Sequence, residues 1–182
     1  MKFPAGSLPE CDRLNFRLPS LEDAAFYLKL MKDPDYIRFI ADNGITSEEE
    51  ARAYIQDKPL ARFAQFNVGL WVVEVKETGQ PAGVCGLVVR DELEYPDLGY
   101  AFLEEFRGQG IAREAAQAVL EHSCQKLKIE TLCAITAPDN KRSSDLLKKI
   151  GFKGQGQRLL NEIGETSDYF VCELGSTQTN MS

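Results

Sequence analysis

The segment Arg107-Gly108-Gln109-Gly110-Ile111-Ala112 follows a strand-like stretch and opens a helix-like one. A helix start exposes unpaired backbone N–H groups and the positive end of the macrodipole. Glycines let that backbone approach an anion without interference from Cβ atoms. The chemistry expected of such a loop is phosphate binding, and a tight turn without a ligand is the competing reading. Two common nucleotide patterns fail. The dinucleotide fingerprint needs a third glycine where Arg113 stands, and the Gly-Lys-Ser/Thr of a P-loop is absent. A second helix start lies at Asn140-Lys141-Arg142-Ser143, and that helix ends at Ile150-Gly151-Phe152. By itself Asn140 reads as a plain N-cap. Ser143 follows it by one turn and projects toward the same end of the helix. By itself its hydroxyl reads as a group that helps cap the first turn. Ser144 points roughly 100° away.

His122 is the only histidine, which restricts any Ser-His or Cys-His nucleophile to that residue. It shares a helical stripe with Ala115, Ala118 and Val119, so we read it as a packed residue. The five cysteines are odd in number and form no Cys-x-x-Cys pair. They read as reduced, mostly buried thiols of a cytoplasmic protein, with no metal site.

Taken together, Arg107-x-x-Gly110-x-Ala112, Asn140 and Gly151-Phe152 resemble the GNAT superfamily of acyl-CoA-dependent N-acetyltransferases. Asp97-Leu98-Gly99-Tyr100 and Arg113-Glu114-Ala115 are similar to the branch that acetylates protein N-termini, including those of ribosomal proteins. These motifs span about residues 97 to 152, and the element order agrees from Arg13 to Leu174. The resemblance implies acetyl-CoA as cosubstrate. It makes Arg107, Gly108, Gln109, Gly110, Ile111, Ala112 and Arg113 the pyrophosphate loop. It gives the strand edge at Phe102 and Leu103 to the pantetheine arm and to carbonyl polarisation, and it brings Asn140 near the sulfur. Lys141 and Arg142 read chiefly as solvated charge. The family's usual acid is a tyrosine four residues before the Gly-Phe glycine, and here that position is Leu147. The resemblance therefore passes the acid role to Ser143. It favours Glu162 as the base, with Asp97, beside the strand edge, as the competitor, either able to act through a water.

The expected acceptor is a primary amine. An α-amino group has a pKa near 8 and a lysine near 10.4, so roughly 300-fold more neutral α-amine is present at pH 7. A weakly assisted site therefore favours a peptide or protein N-terminus, with an amino-sugar, polyamine or amino acid as the alternative. The acidic loop Asp91, Glu92, Glu94 is placed to attract a cationic acceptor. A rival of another class is a non-catalytic acyl-CoA-binding sensor, which keeps the loop and Asn140 but needs no acid.

The elements that must position these groups follow from periodicity. Leu14, Phe16 and Leu18 alternate as a first strand. Ser20 with Asp23, and Ser47 with Glu50, form capping boxes for two helices. Pro34 precedes a short helical resumption through Ile40. Strands are expected at Leu70–Val75, Gly83–Val89 and Asp97–Leu103, then a helix from Gly110 to about Lys126. A strand at Ile129–Ile135, the Asn140 helix and two strands at Phe152–Leu160 and Asp168–Leu174 complete the order. This describes a single domain over 1–174, an α/β (α+β) GNAT-like fold with a central mixed, mostly antiparallel sheet and about four flanking helices. Residues 175–182 form a polar tail. The 182 residues bury a full core without disulfides. A net charge of −7 argues against general nucleic-acid or anionic-membrane binding, and no apolar run approaches the ~20 residues of a membrane span. The assembly is expected to be a monomer or a homodimer.

Overall fold

The computed structural model describes residues 1–175, so all but the first residue of the expected tail lies outside it. Seven strands form one sheet in the order β1-β2-β3-β4-β5-β7-β6. They are β1 (Leu14–Arg17), β2 (Leu70–Val75), β3 (Pro81–Val88), β4 (Asp97–Phe102), β5 (Thr131–Thr136), β6 (Lys153–Leu160) and β7 (Glu165–Glu173). All neighbours run antiparallel except β4 and β5. The helices are α1 (Ala24–Met31), α2 (Pro34–Phe39), α3 (Glu48–Ile55), α4 (Ala61–Phe66), α5 (Ile111–Gln125) and α6 (Lys141–Lys149).

Period-two alternation sorts each strand onto two faces. Trp71, Val73, Cys85, Leu98, Phe102, Leu132 and Ala134 pack against Ile111, Ala115 and Val119 of α5 and Leu147 of α6. Val72 and Val84 face the other way, onto Ala24, Tyr27, Leu30 and Met31 of α1 and Ala51 and Ile55 of α3. The sheet is thus the middle layer of three. Cys133, Leu160 and Tyr169 continue the second face beneath Leu93. Ser47 caps α3 as expected, its Oγ accepting from the Glu50 N–H at 3.2 Å. At the other box, the Asp23 carboxylate accepts from the Ser20 N–H at 2.8 Å and is gripped by Arg17.

The stretch after Ile55 departs from the sequence reading, which assigned no helix there. It continues through a π-helical turn at Gln56–Leu60 that contains Pro59, then α4. A π turn accommodates a proline because the hydrogen bond the ring removes is already displaced there. His122 is 5% exposed and stands edge-on to Trp71 with ring centroids 5.7 Å apart, a core residue whose pKa burial lowers. All five cysteines are free thiols, with Cys85, Cys133 and Cys172 buried. Among the described residues no helix is long and apolar enough to cross a membrane, and no cluster could hold a metal ion.

Candidate active site

The central feature is a fork in the sheet. Parallel β4 and β5 share a single bridge, Asp97 opposite Cys133, and then diverge. The Cys133 N–H donates to the Pro96 carbonyl at 3.0 Å, so even-numbered residues of this strand direct their backbone groups toward β5. Beyond the bridge, the N–H groups of Tyr100 and Phe102 therefore line the open arm. The Leu103 N–H does not. It donates to the Ala82 carbonyl of the β3 segment at 2.9 Å, and its side chain is buried. This corrects the assignment of Leu103 to the free edge: alternation turns its backbone away, and Tyr100 takes that place.

One arm of the fork leads into the glycine loop. Gly108 and Gly110 adopt φ of +73° and +74°, the left-handed region that L side chains rarely occupy. The loop then enters α5. The N–H groups from Gly108 to Arg113 donate to no other backbone group among the described residues. They form a row of donors without backbone partners at the start of a 15-residue helix, which fits an anion. Gln109 is tied down by its side chain, Nε2 donating to the Glu105 carbonyl at 2.9 Å. Ile111 is anchored in the core, Ala112 is half-buried and Arg113 is exposed.

Arg107 is placed differently from the expectation. Its guanidinium donates to Asp33 Oδ1 at 2.7 Å, Asp35 Oδ2 at 3.2 Å and the Phe102 carbonyl at 3.1 Å. Its own N–H is used by the turn, donating to Glu104. Arg107 therefore fastens the loop to the start of α2 rather than offering a free cation. Arg142 also reaches Asp35, and Arg38 of α2 reaches Asp139 at 2.7 Å. These pairs lay α2 across the loops that leave β4 and β5.

The other arm leads into α6. Asn140 is its N-cap, Oδ1 accepting from the Ser143 N–H at 3.2 Å. The Ser143 hydroxyl lies 2.7 Å from the Tyr100 hydroxyl, and either can be the donor. Burial pushes the Tyr100 phenol up to about 12, and the contact with Ser143 partly opposes the rise. Leu147 is 1% exposed and fills the core. From the sequence, Tyr100 is a motif residue and a fallback proton donor behind Ser143, not its partner. Its pairing with Ser143 joins residues 43 apart, and no local spacing signals it.

Asp97 sits in the crotch of the fork, 3% exposed. Odd numbering puts its side chain on the face opposite Tyr100. Oδ2 accepts from Arg90 Nε at 3.0 Å, and Oδ1 has no well-formed hydrogen bond. Burial raises its pKa to about 6, against the pull of the Arg90 guanidinium and the Ile135 N–H. Arg90 also reaches Glu162 at 3.3 Å, and Arg62 approaches the same carboxylate at 3.7 Å. One guanidinium thus bridges both candidate bases. Glu162 stands 42% exposed on the β6–β7 turn, which Glu92 holds by accepting from the Asn161 and Glu162 N–H groups. Glu92 is therefore occupied as a staple, and of the acidic loop only Asp91 and Glu94 remain exposed without such partners.

Known proteins resemble this chain in sequence and in fold. The acetyltransferase (GNAT) domain family matches residues 13–153. The chain is 29% identical over 147 residues to the uncharacterized N-acetyltransferase p20 of Bacillus licheniformis, covering 80% of this chain and 82% of that protein. It is 35% identical over 91 residues to the [ribosomal protein uS5]-alanine N-acetyltransferase of Escherichia coli, covering 50% of this chain and 46% of the relative. The crystal structure of a GNAT-family acetyltransferase from Bacillus anthracis superposes with a TM-score of 0.75 at 21% identity, over 96% of this chain and 99% of that one.

Proposed function

The chain belongs to the GNAT acetyltransferase family, and from that premise we propose that it acetylates the α-amino group of a protein or peptide N-terminus. Acetyl-CoA supplies the activated acetyl group. Support for the acceptor comes from the Escherichia coli relative, an alanine N-acetyltransferase of ribosomal protein uS5, and from the proton chemistry of the fork.

The observation that carries the mechanism is the division of proton-handling groups between the two faces of the fork. Asp97, with one oxygen held by Arg90 and burial raising its pKa to about 6, takes the proton of the acceptor amine, directly or through a water. Drawing a proton from an α-ammonium of pKa near 8 is then uphill by about 2 units, or ~3 kcal/mol. From a lysine the gap is about 4.4 units, or ~6 kcal/mol. Glu162, already engaged by two guanidinium groups, orients Arg90 and the loop around Asp97. On the opposite face the Tyr100–Ser143 pair holds a proton for the departing thiolate. The tyrosine is the more acidic partner, and Ser143 stands at the helix start, where negative charge is favoured. The Tyr100 and Phe102 N–H groups orient the donor arm and polarise its carbonyl. The N–H row from Gly108 to Arg113 holds the pyrophosphate.

The test is thiol release from acetyl-CoA with a panel of acceptors. Peptides with free N-termini should turn over, and α-blocked peptides containing lysine should not. Preference for a polyamine or amino-sugar would overturn the acceptor assignment. Tight acetyl-CoA binding without turnover on any amine would favour the sensor.

A further inference from the structure

Thr136, the last residue of β5, is a third hydroxyl at the fork. It is 6% exposed, and its Oγ1 has no hydrogen-bond partner among the described residues. Its strand partner in β7 is Asp168, so the ladder on that side is complete without its side chain. A buried hydroxyl with nothing to bond is unfavourable, and such atoms call for a reason.

The register supplies one. From the single bridge between Asp97 and Cys133, three residues along β4 lead to Tyr100 and three along β5 lead to Thr136. The strands are parallel, so the two residues stand at the same height on opposite arms. Three is an odd step, so both project to the face opposite Asp97. That is the face of Leu132 and Ala134, which meets α5 and α6. Tyr100 there already touches Ser143. The fork is thus flanked on this face by Tyr100 and Ser143 on one side and by an unbonded Thr136 hydroxyl on the other.

We propose that Thr136 Oγ1 hydrogen-bonds an oxygen of the acetyl-pantetheine arm and fixes its reactive end between the two arms of the fork. This rests on the acetyl-CoA reading above. The arm carries amide and thioester oxygens, and a threonine hydroxyl is a donor that matches them. Binding then satisfies an atom that the chain alone leaves unpaired, so the hydroxyl serves affinity at a cost to the free protein.

Thr136→Val keeps the shape and removes the hydroxyl. Without ligand it should melt no lower than the parent. It should bind acetyl-CoA about tenfold more weakly by calorimetry, a change typical of one lost hydrogen bond. Phospho-ADP, the nucleotide half of CoA, should bind parent and variant alike. Thr136→Ser should retain parent affinity for both, and Thr136→Ala provides the same comparison if the valine variant fails to fold. A serine variant as weak as valine would assign the effect to the methyl group and overturn the proposal. So would parent-like acetyl-CoA affinity in Thr136→Val, or equal loss of both ligands. A parent protein that binds neither ligand would instead refute the acetyl-CoA reading itself.

Discussion

Ser143→Ala tests the proton donor most directly. The substitution removes Oγ and leaves the Tyr100 hydroxyl with only the Ser143 carbonyl, at a long 3.4 Å. The helix keeps its cap, because the bond to Asn140 Oδ1 comes from the Ser143 backbone N–H. The stability cost is therefore that of one side-chain hydrogen bond, about 1 kcal/mol, which lowers Tm by about 2–4 °C in a domain of this size. General acid catalysis contributes 10²–10⁴-fold, and a thiolate is a fair leaving group, so kcat should fall about 10²-fold with acetyl-CoA affinity little changed. Tyr100→Phe should cost a similar factor. If the pair works as one relay, the double variant should lose about as much as either single one, since residues acting as a unit are not additive. Independent roles would multiply to about 10⁴. Ser144→Ala is the control and should lose less than about threefold. The assay is steady-state thiol release with a peptide acceptor, checked by calorimetry for donor binding. Near-parent kcat in Ser143→Ala, or losses that multiply in the double variant, would refute the relay.

Asp97, Gly110 and Leu147 carry further outcomes of the same geometry. The kcat/KM of the parent should fall as pH drops through about 6, where Asp97 takes up a proton, and Asp97→Asn should be nearly inactive across the range; an unchanged profile in that variant would move the base elsewhere. Because the folded pKa of Asp97 lies above its usual value, its contribution to stability is present at low pH and lost as pH rises through about 6, so the Tm of Asp97→Asn should gain on the parent above that pH. Gly110→Val forces a β-branched residue to φ +74° and fills the loop, so acetyl-CoA affinity should drop at least about tenfold; equal affinity in the folded variant would reduce the loop to a turn. Leu147→Met, a near volume-conserving change at a buried site, should cost less than about 1.5 kcal/mol in denaturant titration and leave turnover intact; a large loss of turnover in the folded variant would mean that α6 is not the catalytic helix.

Local chemistry made much of this protein legible in its sequence. The two glycines of the loop, the Asn140 helix start and the Ser47–Glu50 box each act within a few residues, so their types alone specify the turn or cap. Alternation gave the strands, and the helical stripe correctly buried Leu147 and His122. The helical segment after Ile55 escaped because a π turn absorbs Pro59. What tertiary structure decided depends on register and on partners far along the chain. Whether Leu103 or Tyr100 offers a free N–H is a matter of parity, fixed only once β4 pairs with β3 and meets β5 at Asp97. The fate of Arg107 was settled by Asp33 and Asp35, more than 70 residues away. The Tyr100–Ser143 contact and the Arg90 bridge between Asp97 and Glu162 arise the same way. A sequence states which groups can donate or accept a proton, but only packing determines which partner satisfies them, and a side chain already satisfied is no longer free for catalysis.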